Sequence, residues 1–278
     1  MAVKALCVGI KKFKNFPSAA LQGCVNDVKD MKSILTSLLG FKKNDIVTLT
    51  DSRATKAKIM AHLKDMVDGA KKGKYSYLVF SLSSHGTQVP DVNGDEPDNA
   101  DEAFCPYDLA QSGDQWDPKH IITDDELYDL FVTLPPNILL EVFLDTCHSG
   151  TGLKAIDMLM DRKPRYLPPP SYAAFKKVDG RVPRGLNTLM LDRGIVRHIL
   201  WAGCRSDQTS ADARISGAWH GAFTHYISRE LRKSKNKISR AQLLKKVRED
   251  LAKGHYTQIP QLESQSKLRK TPVGRQKR

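Results

Sequence analysis

YSYLVFSLSSHG, residues 75–86, opens with Tyr75–Ser83, an almost unbroken apolar and β-prone run, and then breaks into Ser84, His85 and Gly86. A run of that length without polar alternation fits a strand buried on both faces, as at the centre of a parallel sheet. ILLEVFLDTCHSG, residues 138–150, repeats the pattern: a buried strand over Ile138–Asp145, then Thr146, Cys147, His148 and Gly150. Outward from this pair, Val3–Ile10, Ile46–Thr50 and Ile195–Ala202 read as further strands, and Gln258–Glu263 as a last, edge strand. Helical patterns fall between them at Cys24–Leu39, Thr55–Lys71, Thr123–Leu134, Trp219–Lys233 and Ser239–Lys253, with Gly40 and the Pro135–Pro136 pair as stops. Strands alternating with helices predict an α/β fold: a mainly parallel six-stranded sheet with helices on both faces. Ligands of such sheets bind beyond the carboxyl ends of the strands. SSHG (83–86) and DTCHSG (145–150) stand at two such ends.

The residues at these ends suit nucleophilic chemistry. A thiol attacks as thiolate, and a nearby imidazole takes its proton and later protonates a leaving amine. His85 and Cys147, brought together by adjacent strands, meet that need; His148 is the rival base, although neighbouring side chains usually diverge. Gly86 leaves room for a substrate backbone, and the N–H groups of Gly86 and Cys147 are candidates for an oxyanion hole. No GxSxG motif is present, which excludes the common serine-hydrolase arrangement.

The 278 residues suit one domain, and the 40% of hydrophobic residues can fill its core. No stretch approaches the ~20 apolar residues of a membrane span, and residues 2–10 lack the pattern of a secretory signal, so the expected location is the cytoplasm. Five scattered cysteines, Cys7, Cys24, Cys105, Cys147 and Cys204, form neither a disulfide framework nor a zinc pattern. The formal charge of +13 is unevenly spread: residues 229–278 hold 16 Lys/Arg against 4 Asp/Glu, while 91–129 hold 13 Asp/Glu against one Lys. The basic end lacks aromatic interleaving and any reader motif, which argues against nucleic acid as partner. Residues 154–193 break the alternation with prolines and nine basic residues, among them Arg162, Lys163, Arg165 and Lys176, and read as a linker or lid open to nicking.

SSHG together with DTCHSG closely resembles the metacaspases, the caspase-like cysteine peptidases of clan CD, family C14. GCVNDV (23–28), NGDEPDNADEAFCPYD (93–108), TDDEL (123–127), CRSDQTSAD (204–212), GAFTHYI (221–227) and IPQLE (259–263) look like further family blocks in the family's order. The match spans roughly residues 3–265. The resemblance implies a short form without a prodomain: a large-subunit-like part over 1–153, a linker or lid over 154–193, a small-subunit-like part over 194–265 and a basic tail over 266–278, all in one caspase-like domain and in a monomer. It implies hydrolysis of protein or peptide substrates through a Cys147 thioester, with His85 as acid and base, after Arg or Lys. Asp145, two residues before the cysteine, shares its side of the strand, and a carboxylate there pairs with a basic side chain. Asp27 matches a second acidic pocket residue, Cys24 and Ser83 match pocket-lining positions, and Asp207 joins them less closely, because many relatives place their Asp where Ser206 stands. No cofactor is required for the chemistry. Ca²⁺ is an expected activator, with Asp101, Asp124 and Asp125 at three of four family positions and Lys154 at the fourth. An ammonium cannot ligate Ca²⁺, so a neighbouring acid such as Asp157 replaces it, binding is weakened, or the lysine substitutes for the ion. Self-cleavage is expected in 154–193, foremost at Arg162, Lys163, Lys176 and Lys177, or in the tail at Arg269, Lys270 and Arg275. The alternatives are a caspase-fold scaffold without activity and a nucleic-acid-associated factor using the basic tail.

Overall fold

The computed structural model describes residues 2–90, 100–147, 160, 162–178 and 198–274. Its centre is a six-stranded sheet in the order β14-β11-β9-β3-β1-β2. Four neighbouring pairs among β1 (Ala2–Gly9), β2 (Ile46–Thr50), β3 (Tyr75–Ser83), β9 (Leu139–Asp145) and β11 (His198–Ala202) are parallel. The edge strand β14 (Gln261–Ser264) runs antiparallel to β11. The predicted sheet is therefore present; residues 195–197 of the expected fifth strand lie outside the described residues.

Side-chain alternation along the strands builds two cores. Leu6, Val8, Phe80, Leu82, Val142 and Leu144 face helices α2 (Lys56–Lys71) and α3 (Asp124–Phe131), which contribute Ile59, Leu63, Leu127 and Phe131. Ala5, Cys7, Tyr77, Val79, Phe143 and Trp201 face the other way, toward α1 (Cys24–Leu38), α5 (Ala222–Ser234) and α6 (Arg240–Lys253). Both faces are thus covered by helices, which is why β3 and β9 carry no exposed polar side and read as continuous apolar runs.

Smaller elements shape the carboxyl end of the sheet. Strands β4 (Gly86–Pro90), β5 (Ala100–Phe104) and β8 (Ile122–Thr123) form an antiparallel sheet, beside a short hairpin of β6 (Gln111–Ser112) and β7 (Gln115–Trp116). Part of the acidic region is therefore folded in, with Asp101 and Glu102 buried. A third small sheet joins β10 (Lys163–Pro164), β12 (Ala211–Ile215) and β13 (Ala218–Gly221). It corrects the expected helix over 219–233, which begins only at Ala222. Ser216 and Gly217 take φ of 52° and 87°, the left-handed pair that a two-residue hairpin turn demands, so 218–221 folds back on β12.

The described parts of the linker and of the basic tail both carry structure. The described part of the 154–193 segment is packed structure, containing β10, a short helix α4 (Tyr172–Val178) and the fully buried Arg165. The basic tail is folded as far as Gly274: α7 (Ser266–Arg269) is followed by buried Val273, and the Gly274 N–H donates to buried Glu141. Among the described residues, no helix is long and apolar enough to cross a membrane.

Candidate active site

Register sets the site. Ser83 at the end of β3 lies directly opposite Asp145 at the end of β9, so the residues after each emerge side by side. His85 follows on one side, and Thr146 and Cys147 on the other.

The His85 ring is 5% exposed and packs against Phe13, with ring centroids 5.3 Å apart. Its Nε2–H donates to the Ala19 carbonyl at 2.8 Å, which assigns the tautomer and leaves Nδ1 as a lone pair that no donor among the described residues occupies. Burial pulls its pKa down to about 4, against the opposing pull of the Ala19 carbonyl, so the ring is neutral at pH 7. Cys147 is wholly buried, and its thiol donates to the Gln208 carbonyl at 2.7 Å. Cys204 reaches the same carbonyl at 3.4 Å; the neighbouring Cys147 thiol, and then burial, push Cys204 well up, so it stays a thiol. A neutral imidazole and a thiol at the ends of adjacent strands are the groups that nucleophilic thiol chemistry requires. His148, the rival base, lies outside the described residues.

Beside them is a buried acidic socket. Asp27 from the first turn of α1, Asp145 from the end of β9 and Asp212 from β12 surround one guanidinium, that of Arg165. Arg165 Nη2 donates to Asp27 at 2.7 Å and to Asp212 at 2.9 Å. Its Nη1 donates to Ser83 Oγ at 2.6 Å and lies 3.4 Å from the Asp145 carboxylate. The Ser83 hydroxyl in turn donates to Asp27 at 2.6 Å. Asp145 is anchored from behind by Ser210 Oγ at 2.6 Å and Thr224 Oγ1 at 2.7 Å, and Asp212 by the N–H groups of Gln22 and Gly23. Gly221 is required here: a Cβ on it would run into the Asp145 carboxylate and the Arg165 guanidinium. Cys24 lies close enough to feel Arg165 and both Asp27 and Asp212, with burial driving its pKa upward. Burial also raises Asp27 to about 6, opposed by Arg165 and reinforced by Asp145.

The structure thus brings Asp27, Asp145, Ser83 and Cys24 together. It corrects Asp207, which is half-exposed and paired with Arg205 at 3.0 Å; the third carboxylate of the socket is Asp212, held inside by its place in the middle sheet strand β12. Asp212 closes the block CRSDQTSAD, so its signal was present but could not be told from that of Asp207. Arg165 carried no local signal, since it reads as one more base in a proline-rich stretch.

The backbone around Arg165 is equally ordered. Its carbonyl accepts from the Gly86 N–H at 2.9 Å, its own N–H donates to the Ser210 carbonyl at 2.9 Å, and the Leu167 N–H donates to the Gly86 carbonyl at 2.9 Å. Just before it, Lys163 and Pro164 pair antiparallel with Asp212 and Ala211. Residues 163–167 therefore run extended through the cleft, between the start of β4 and the edge of β12.

Asp101 lies buried on β5, and Asp124 and Asp125 open α3, where carboxylates also favour the helix N-terminus. As hard oxygen donors they fit Ca²⁺ by ligand type; Lys154 and Asp157 lie outside the described residues. Among the described residues, Asp30, His220 and His225 offer three potential ligand atoms within 4.8 Å of one another. Asp30 is already bonded to Arg232 at 2.8 Å and lies 3.2 Å from His220, so this group reads as an ion-pair network.

The caspase domain family model matches residues 2–271. Metacaspase-1A of Aspergillus niger is 32% identical over 93% of this chain and 69% of its own length. Metacaspase-1 of Emericella nidulans is 33% identical over 95% of this chain and 70% of its own. Among solved structures, a protein of Geobacter sulfurreducens superposes with a TM-score of 0.67 at 23% identity, covering 98% of both chains. Caspase-1 of Spodoptera frugiperda superposes with a TM-score of 0.59 at 13% identity, covering 94% of this chain and 86% of its own.

Proposed function

The chain belongs to the caspase-domain cysteine peptidases, among their metacaspase members, and on that premise we propose that it is an endopeptidase cutting after arginine or lysine through Cys147 and His85. One observation carries the reading. Arg165 gives its guanidinium to Asp27, Asp145 and Asp212 while its carbonyl accepts from the Gly86 N–H, which supports reading a basic side chain and the peptide bond after it as what the site takes.

The chemistry follows from the groups present. Nδ1 of His85 takes the proton of Cys147, and the thiolate attacks the carbonyl carbon held at Gly86. The negative charge that develops on the carbonyl oxygen is met by the N–H groups of Gly86 and Cys147. The imidazolium then gives its proton to the departing amine, leaving a thioester on Cys147. Water, deprotonated by His85, opens the thioester to a carboxylate and restores the thiol.

The same pose makes Arg165–Tyr166 the bond the chain cuts in itself, ahead of Arg162, Lys163 and Lys176, whose side chains lie outside the acidic socket. Fluorogenic peptides ending in Arg, Lys or Asp test the specificity. Cys147→Ala is expected to lower turnover by roughly 10³-fold or more, with His85→Ala close behind. Efficient cutting after Asp, or turnover by folded Cys147→Ala, would sink the reading. N-terminal sequencing of aged protein is expected to find a new terminus at Tyr166, absent from the Cys147→Ala control. Calcium belongs to the proposal as an activator whose grip Lys154 weakens: Lys154→Asp is expected to tighten Ca²⁺ binding in calorimetry.

A further inference from the structure

The socket for Arg165 has a counterpart three residues earlier. Helix α6 ends in a Schellman turn. The His255 N–H bonds to the Ala252 carbonyl, the Tyr256 N–H bonds to the Leu251 carbonyl at 2.9 Å, and His255 takes φ of 57°. That turn satisfies carbonyls 251 and 252 and directs those of Gly254 and His255 outward, at the negative end of the helix dipole.

Arg162 fills the place they face. Its Nη1 donates to the His255 carbonyl and its Nη2 to the Gly254 carbonyl, both at 2.7 Å. Its guanidinium carbon lies 3.8 Å from the centroid of the Tyr256 ring, which is itself braced edge-on by Tyr226. Arg162 is 8% exposed, whereas Lys163 beside it points into solvent. Two parallel N–H bonds to carbonyls with a ring beneath them recognise a planar fork, which lysine does not possess. Because Arg162 belongs to the same extended segment as Arg165, this recognition operates on whatever occupies the cleft.

We propose that Gly254, His255 and Tyr256 form a second arginine subsite, and that the enzyme selects protein segments with arginines three residues apart, Arg-x-x-Arg, cut after the second. Residues 162–165 are the chain's own copy of that motif. The proposal rests on the reading of Arg165 as the cleaved position.

The test compares acetyl-Arg-Lys-Pro-Arg and acetyl-Ala-Lys-Pro-Arg coumarin amides on the full-length protein. The first is expected to have a kcat/KM roughly 10- to 100-fold higher, chiefly through KM, as for a contact made equally in ground and transition states. Acetyl-Lys-Lys-Pro-Arg is expected to stay close to the alanine peptide. The ratio of the first two efficiencies falls toward one in Tyr256→Leu and persists in Tyr256→Phe, a readout that a general loss of folding would not produce. A second measure needs no added peptide: Arg162→Ala slows self-cutting at Arg165–Tyr166 by a similar factor, followed by mass spectrometry. A native ratio near one, or self-cutting unchanged in Arg162→Ala, overturns the second subsite while leaving specificity for the cleaved arginine standing. Absence of cleavage after arginine in both assays overturns the two together.

Discussion

Among the described residues, Arg165 and Arg240 show zero side-chain exposure, and they are held in opposite ways. Arg240 faces one carboxylate, Glu141, with Nε and Nη2 each at 2.8 Å, and its remaining donors reach Thr271, Leu268 and Gly274. Glu141 in turn accepts from Tyr77 and Trp201 at 2.9 Å each. Burial works to raise Glu141, but the guanidinium outweighs it and holds the carboxyl below its usual range. Arg165 faces three carboxylates, its Nε has no partner among the described residues, and one of its acids is raised to about 6. Both sites draw on strand β9, four residues apart and on the same face, Glu141 at its middle and Asp145 at its end. The balanced pair is a rivet. The unbalanced one is a socket whose acids are fixed by the fold and whose cation belongs to a segment lying across the cleft.

The largest effect expected from this contrast is on stability. Arg240→Ala strands a buried Glu141 and is expected to cost about 3–5 kcal/mol in denaturant unfolding. Arg165→Gln is expected to cost clearly less, because the glutamine amide can still donate to one of the acids and Asp27, already raised to about 6, can take up a proton, and the uncut variant should turn over arginine peptides faster than the uncut native chain. Equal losses in the two variants would make Arg165 a second rivet and remove the contrast. Asp145→Asn comes next. Losing one partner of a desolvated charge pair costs about 2–5 kcal/mol, or roughly 30-fold and more in kcat/KM on arginine peptides, with little change for the fold since Ser210 and Thr224 can still bond the amide. Unchanged kinetics would mean that Asp27 and Asp212 hold the cation alone.

The smallest effect is a pH slope. Unfolded aspartate titrates near ~4, and burial places Asp27 at about 6. The folded chain therefore holds more proton between those values, so this carboxyl favours the fold most below pH ~4 and the contribution is lost as pH rises to 6. Glu141, held down, acts with the opposite sign: its contribution is present above the unfolded pKa and lost as pH falls below it. Denaturation midpoints across this range should shed the first slope in Asp27→Asn, and a profile identical to the native one would contradict the assignment.

The rivet and the socket were unequally legible. Strands β3 and β9 announced themselves because burial on both faces leaves no polar alternation, and the ends of parallel strands are where ligands meet such sheets. His85, Gly86, Cys147 and Asp145 follow from that rule together with thiol chemistry. The rest depends on contacts that no local pattern encodes. Arg165 meets Asp27 across 138 positions and Asp212 across 47. Neither Arg-Lys-Pro-Arg nor Thr-Ser-Ala-Asp differs in composition from an ordinary loop. Ser-Gly at 216–217 is a turn-forming pair, but the helix expected from Trp219 onward ran over the strand that follows it.

The pairing of Lys163 and Pro164 with the edge of β12, continued by Gly86 on the far side of Arg165, has a consequence for which proteins are vulnerable. A segment bound this way surrenders its backbone hydrogen bonds to the enzyme over several residues, and a helix or an inner strand of a target cannot do so while folded. Cleavage must then wait for local opening. When opening and reclosing are fast relative to cutting, the rate follows the population of the opened form, and each ~1.4 kcal/mol of local stability in the target slows it about tenfold. An Arg-x-x-Arg motif in a loose loop and the same motif within a helix would differ by orders of magnitude, although the enzyme contacts identical atoms in both.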